Sequence, residues 1–208
     1  MEYGVKVVDV PNADAWPVIV PYDAVTRTHY QGQGGDWAFA AGSGVDVVSV
    51  DDYGNPLLID DRNDLADPFD DVCYDYEYAA SPDDEVQRPI VNAPSSVRQS
   101  SCHQGTTATL RRDRYRYDGD SAFEAPLAEG LVDRGNLAEH RVERYNKATG
   151  AAIDTVLRRA FDYDYLGNVR AVRDYLDAGA FVETQIVRDD DARLPVEVRV
   201  APGTAAEQ

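Results

Sequence analysis

The stretch AAIDTVLRRAFDYDYLGNVRAVRDYLDAG, Ala151 to Gly179, decides the fold class of this chain. Wound as a helix, its first half puts Ile153, Val156, Leu157, Ala160 and Phe161 on one stripe. Its second half does the same with Val169, Val172, Tyr175 and Leu176, preceded by Asn168 as a cap and followed by Gly179 as a stop. Just upstream, Leu137, Arg141 and Tyr145 also recur at helical spacing, with Val142 beside them. Against this stand two turn signals, YNKATG at 145–150 and YLGN at 165–168, which belong between strands. The apolar spacing carries the reading here, and it predicts two short helices, from about Ala151 and from Val169.

The rest of the chain reads as strands. Downstream, AFVETQIV at 180–187 alternates, RDDDAR turns, and LPVEVRV returns with Val196, Val198 and Val200 on one face and Glu197 and Arg199 on the other. In the first half, Val45 to Val50 forms a strand, DDYGN turns it, and Leu57 to Ile59 brings it back. Tyr3 to Val10 is a further strand. The run bracketed by Pro17 and Pro21 suits an edge or an extended arm. Leu110 to Tyr117 has strand composition. The Ser-, Pro- and Asn-rich stretch from Ala80 to Gln104 reads as a covering loop or linker. The predicted class is therefore a β-rich α+β fold: an antiparallel sheet or sandwich with two short helices before a C-terminal hairpin. Its two regions are 1–104 and 105–208, as one domain or two, and no internal repeat is evident.

Composition narrows the function. The net charge is -18, with 28 of 38 acids aspartate, while lysine occurs only at Lys6 and Lys147. Acids recur along the chain from Asp9 to Asp191, which fits adaptation to molar salt, where repulsion is screened within about 3 Å. The balance disfavours nucleic-acid binding, which needs a basic footprint. The interleaved Arg111, Arg112, Arg114, Tyr115, Arg116 and Tyr117 are read instead as a strand facing acidic neighbours. No apolar run is long enough for a helical membrane span, and the start lacks a secretory signal, so synthesis in the cytoplasm is expected, with export inside a virion as one route out.

Candidate sites follow from side-chain chemistry. The acidic stretch that begins at Asp60 is read as a loop. It offers Asp60, Asp61, Asn63, Asp64, Asp67, Asp70 and Asp71 as oxygen ligands for calcium or, in strong brine, for weakly held monovalent cations. It fails as an EF-hand, with Ala66 where glycine is needed and Val72 where glutamate is needed. Cys73, Cys102, His103, His29 and His140 lack zinc-ligand spacing, and the two cysteines read as free buried thiols or one bridge, with the thiols favoured. No nucleophile elbow or phosphate loop is present. Tyrosine is enriched, 13 against 5 phenylalanines, and suits protein contacts. Trp37, Tyr74, Tyr76, Tyr78, Tyr115 and Tyr117 are the interface candidates, and the polar tail from Ala201 is expected at a subunit contact.

The expectation is a non-enzymatic structural or adaptor subunit of a salt-adapted assembly, such as a virion neck, tail or surface component. It would need no dedicated cofactor, and its partners would be protein subunits, in a homo-oligomer or a mixed assembly. A cation- or ligand-binding module and a carboxylate-based hydrolase are the alternatives.

Overall fold

A computed structural model describes residues 2–8, 18–29, 42–63, 67, 69–81, 90–102, 108–119, 123, 126–176, 180–189, 191 and 193–204. Trp37, Asp64, His103 and the last four residues lie outside them, as does the side chain of His29. Among the described residues there is no helix. The chain forms β1 (Glu2–Val8), β2 (Val18–His29), β3 (Gly42–Val50), β4 (Pro56–Arg62), β5 (Val72–Tyr78), β6 (Pro94–Ser101), β7 (Thr109–Tyr117), β8 (Leu137–Tyr145), β9 (Ala152–Tyr163), β10 (Val169–Tyr175), β11 (Ala180–Arg188) and β12 (Pro195–Thr204). Each strand is hydrogen-bonded to its neighbours in the chain, in the order β1 to β12. The chain divides into two compact units, one of 1–77, 97–111 and 146–151, the other of 78–96, 112–145 and 152–208.

This overturns the two helices. Ala152–Tyr163 and Val169–Tyr175 pair with each other as antiparallel strands, Phe161 opposite Val172 and Arg159 opposite Asp174. Their burial shows why spacing misleads. The buried positions of this hairpin are Ala160, Asp162 and Ala171, while Ile153 is exposed. A face that buries a carboxylate hides the apolar alternation by which a strand is recognised.

The turn signals are the better guide. Asp164 Oδ1 accepts the backbone N–H of Leu166 and of Asn168, each at 2.9 Å, and Asp164 Oδ2 accepts the Asn168 amide at 3.1 Å. Gly167 takes φ 82°, a conformation that favours glycine. The β3–β4 turn repeats this arrangement: Asp51 Oδ1 accepts Tyr53 N–H at 2.8 Å and Asn55 N–H at 2.9 Å, Asp51 Oδ2 accepts the Asn55 amide at 2.8 Å, and Gly54 takes φ 86°. A five-residue Asp-x-x-Gly-Asn unit thus folds the chain back twice, through the side-chain mimicry of a backbone turn that suits aspartate.

Other expectations fare unevenly. The β3–β4 and β11–β12 hairpins form, with Val47 opposite Ile59 and Ile186 opposite Val198. Pro21 falls where β2 pairs with β1; pairing with β3 begins only at Val25, so the proline occupies an edge position. The stretch expected as loop or linker contains β6, whose Ser95, Ser96, Ser100 and Ser101 are buried. Arg112 Nε donates to Ser96 Oγ at 3.0 Å, which satisfies one of these hydroxyls.

In the first unit, Cys73 and Cys102 are joined in a disulfide across a separation of 29 residues, with Cα atoms 5.5 Å apart. This corrects the expectation of free thiols. A loop of that size stabilises a fold by about 3–4 kcal/mol in the chain-entropy account. The second unit has a small apolar core of Ala79, Ala93, Tyr117 and Val132, with Ile90, Tyr115 and Leu137 packed against it. Beside it the buried Asp118 carboxylate accepts four successive backbone N–H groups, those of Asp133, Arg134, Gly135 and Asn136, at 2.7 to 3.3 Å. That carboxylate fixes the segment leading into β8.

Candidate functional site

Of the residues expected as cation ligands, Asp64 lies outside the described residues, and several of the others have protein partners. Asp60 and Asp61 lie in β4 rather than in a loop, and as consecutive strand residues they point to opposite faces. Asp60 Oδ2 accepts Arg62 Nε at 3.1 Å, and the same guanidinium meets Asp46 Oδ2 at 2.9 Å. Burial, then the charges of Asp60 and Asp70, push the Asp61 carboxyl above its ordinary value. The Asn63 amide donates to the Asp70 carbonyl at 2.8 Å, and Asp67 Oδ1 accepts Phe69 N–H at 2.9 Å, so both are engaged in local turns. The Asp71 carbonyl accepts Cys102 N–H at 3.3 Å. Among the described residues, the one trio with metal-ligand spacing is Asp60, Cys73 and Cys102. Its two sulfurs are bonded to each other, which leaves no thiolate to bind.

The tyrosines separate into different environments. Tyr74 and Tyr76 share a face of β5, and burial raises both phenols. Tyr78 ends that strand and is half-buried. Tyr115 stacks on His140 with ring centroids 4.7 Å apart, and His140 Nε2 lies 2.8 Å from Asp113 Oδ1. Tyr117 belongs to the core: its hydroxyl donates to the Pro94 carbonyl at 2.8 Å, and burial, then Tyr115 and Asp118, push it up to about 12.

A cavity of about 560 Å³ lies in the second unit along β9, β10 and β11. A smaller one of about 260 Å³ adjoins it and shares Phe123, Asp162 and Asp164. The strand register places Ala160, Asp162, Ala171, Arg173, Glu183 and Gln185 on the face that lines or underlies it. A bulge between Val169 and Ala171 turns Arg170 toward Asp162, and Arg170 Nε reaches the buried Asp162 carboxylate at 2.7 Å. Arg173 Nε donates to Glu183 at 2.8 Å, while its guanidinium stacks 4.0 Å over Phe123 and 4.6 Å over Phe181. Burial raises the Glu183 carboxyl, but hydrogen bonds from Gln185 and Arg173 and the Arg173 charge outweigh it and hold the group below its ordinary value. Farther along the same face Glu139 accepts Arg158 Nε at 2.8 Å and lies 2.7 Å from Arg141, and Arg158 covers the Tyr175 ring.

This face is a ladder of arginine–carboxylate pairs. Asp162 and Glu183 are each neutralised by an arginine, and the described residues that line the cavity include no serine, cysteine or histidine. The carboxylates of that surface are bound by arginines at Asp162 and Glu183 and by a turn at Asp164. The face holds strands together and presents a charge-balanced, partly aromatic surface. Sequence reading missed these residues. The signal was present in the order of charges around YDYLGN, where Asp162 and Arg170, and Arg159 and Asp174, meet once the segment is folded as a hairpin.

No protein-family model matches the chain, and no curated protein matches it. Among solved structures it is similar to a chain of the crystal structure of TcdB2-TccC3-TEV, with a TM-score of 0.51 and 12% identity. The match covers 94% of this chain and 14% of that one. The likeness is one of fold: a β-rich chain resembling a small part of a far longer one.

Proposed function

We propose that the chain is a non-catalytic structural component of a protein assembly adapted to high salt. The observation that carries this reading is the strand order, in which each strand from β1 to β12 joins its chain neighbours and, among the described residues, the two end strands do not pair with each other. Sheets of this kind grow by addition of strands. The fold likeness to a small part of a far longer chain, in the TcdB2-TccC3-TEV structure, supports a component of a larger protein assembly, whereas the virion part expected from the sequence has only elimination behind it. The arginine–carboxylate ladder supports a load-carrying face over a hydrolytic one, since the carboxylates a hydrolase would use are already bound. The scarcity of lysine and the charge of -18 support salt adaptation. The Cys73–Cys102 bridge favours residence in an oxidising compartment over a lifetime in reducing cytosol.

The test is the state of the chain in the cells that make it. Purified in molar potassium chloride, it should emerge in a particle with other polypeptides, far heavier than its own 22.9 kDa. Recovery as a free chain that turns over a substrate would contradict the proposal.

A further inference from the structure

Among the described residues β12 stands at one end of the strand order, and β11 is its one described partner. It also carries exposed apolar side chains: Val196, Val198 and Val200 are 60–66% exposed. A long edge strand with valines in the open is a template for pairing unless something blunts it. The register to β11 sets Val198 and Val200 opposite Ile186 and Thr184, while Glu197 and Arg199 lie opposite Val187 and Gln185 on the other face. The register shift between Val187 and Arg188 makes Val196 the extra residue of a bulge, and the run from Glu197 onward is regular.

The order of residues from Val196 to Val200, V-E-V-R-V, reads as its own complement in an antiparallel pair. With Val198 opposite Val198 of a second copy, Glu197 meets Arg199 and Arg199 meets Glu197 within the regular run. The central valines then face each other, and both charges face their opposites. Within one copy Glu197 and Arg199 already touch, Nη2 to Oε2 at 2.7 Å. Pairing would therefore close a square of alternating charges on one face over a row of valines on the other. Charged edge residues normally repel a passing strand; these repel one that offers like charges and accept a copy of themselves. A symmetric contact of this kind is the commonest way identical chains associate.

We infer that β12 is a self-complementary docking edge, at which two copies of this chain join antiparallel about a two-fold axis centred on Val198. The inference names a partner for the assembly proposed above and rests on that reading for its purpose, whereas the pairing itself stands on β12 alone. An edge of about seven residues makes a small interface, so association should depend on concentration.

The experiment is light scattering of the full chain over a range of concentrations, at the lowest potassium chloride that keeps it folded, because molar salt screens charge beyond about 3 Å. The wild-type chain should approach twice the monomer mass. Glu197→Arg and Arg199→Glu should each weaken self-association about tenfold or more, since each sets like charges opposite each other at two places. The two variants mixed in equal amounts should pair with one another, and the doubly exchanged chain should recover wild-type behaviour. Pairing in the mixture also shows that both variants are folded. A wild-type chain that stays monomeric at every concentration, a dimer indifferent to either exchange, or weakened variants that fail to pair when mixed would each overturn the inference. A chain that is monomeric alone but found natively in a particle would sink this inference and leave the structural reading standing. Charge-dependent dimers with no native particle would do the reverse.

Discussion

The β3–β4 and β9–β10 hairpins are closed by the same turn, Asp51 to Asn55 in one and Asp164 to Asn168 in the other, with the same hydrogen bonds and the same left-handed glycine. One is plain in the sequence and the other reads as two helices. The difference lies in the flanks. Val45–Val50 and Leu57–Ile59 announce a strand, whereas LRRAFDY and NVRAVRDY carry arginines and aspartates that end up buried or paired across the strands. Where ion pairs take the place of apolar residues on a covered face, the turn specifies the hairpin and the hydrophobic period misleads.

Aspartates at turns differ in how much backbone each one holds. Asp118 accepts four backbone N–H groups in a buried site, against two for Asp51 and for Asp164. Asp118→Ala should therefore cost the most in urea unfolding, about 3 kcal/mol, because four part-buried backbone donors lose their acceptor at once. A cost below that of the two hairpin aspartates would break this ranking.

The ladder should matter next. Arg173→Ala leaves Glu183 half-buried beside two aromatic rings and should cost about 2–3 kcal/mol. Exchanging the pair, Arg173→Glu with Glu183→Arg, should recover part of that loss in a double-mutant cycle. Independent, additive effects would mean that the pair does not hold β10 to β11.

The shared turn predicts a shared penalty. Gly54→Val and Gly167→Val each force a branched side chain into the left-handed region and should lose about 1–2 kcal/mol apiece. Thermal melts that separate the two substantially would show that the turns are alike only in appearance. Asp51→Ala and Asp164→Ala should follow with smaller losses than either glycine variant.

Acid should divide the flanks in opposite directions. Glu183 has a depressed carboxyl, so its contribution is complete above the unfolded value near 4.5 and is lost as pH falls through the lower, folded value. Asp61 has a raised carboxyl, first through burial and then through Asp60 and Asp70, so its ionisation works against the fold at neutral pH and is relieved as pH falls through its raised value. Unfolding followed from pH 7 downward should show a shallower acid loss in Glu183→Gln, while Asp61→Asn should be more stable than wild type at neutral pH. Matching acid profiles for the two variants would contradict the assignment.

These contrasts mark what is legible in the sequence. The strands around Val45–Val50 and Ala180–Val200 are readable because apolar and polar residues alternate there. The serine-rich β6 is not, because its hydroxyls are buried and Ser96 is paired with a distant arginine. The disulfide is beyond reach because spacing alone does not bring Cys73 and Cys102 together. The acidic stretch draws attention as a cation site by composition, yet strand geometry sends Asp60 and Asp61 apart. The charged groove is hidden because its members, Asp162, Arg170, Arg173 and Glu183, come from three strands and look like ordinary surface charges until the register is known.

The ladder, the cavity and the structural reading all depend on the stretch from Ala152 to Tyr175 being a hairpin. The most direct measurement is the pattern of proton contacts in an isotopically labelled chain by nuclear magnetic resonance. Cross-strand contacts linking Phe161 with Val172 and Arg159 with Asp174 are the predicted result. Contacts between residues three and four apart along Ile153 to Phe161, with none across the turn, would show helices instead and contradict it.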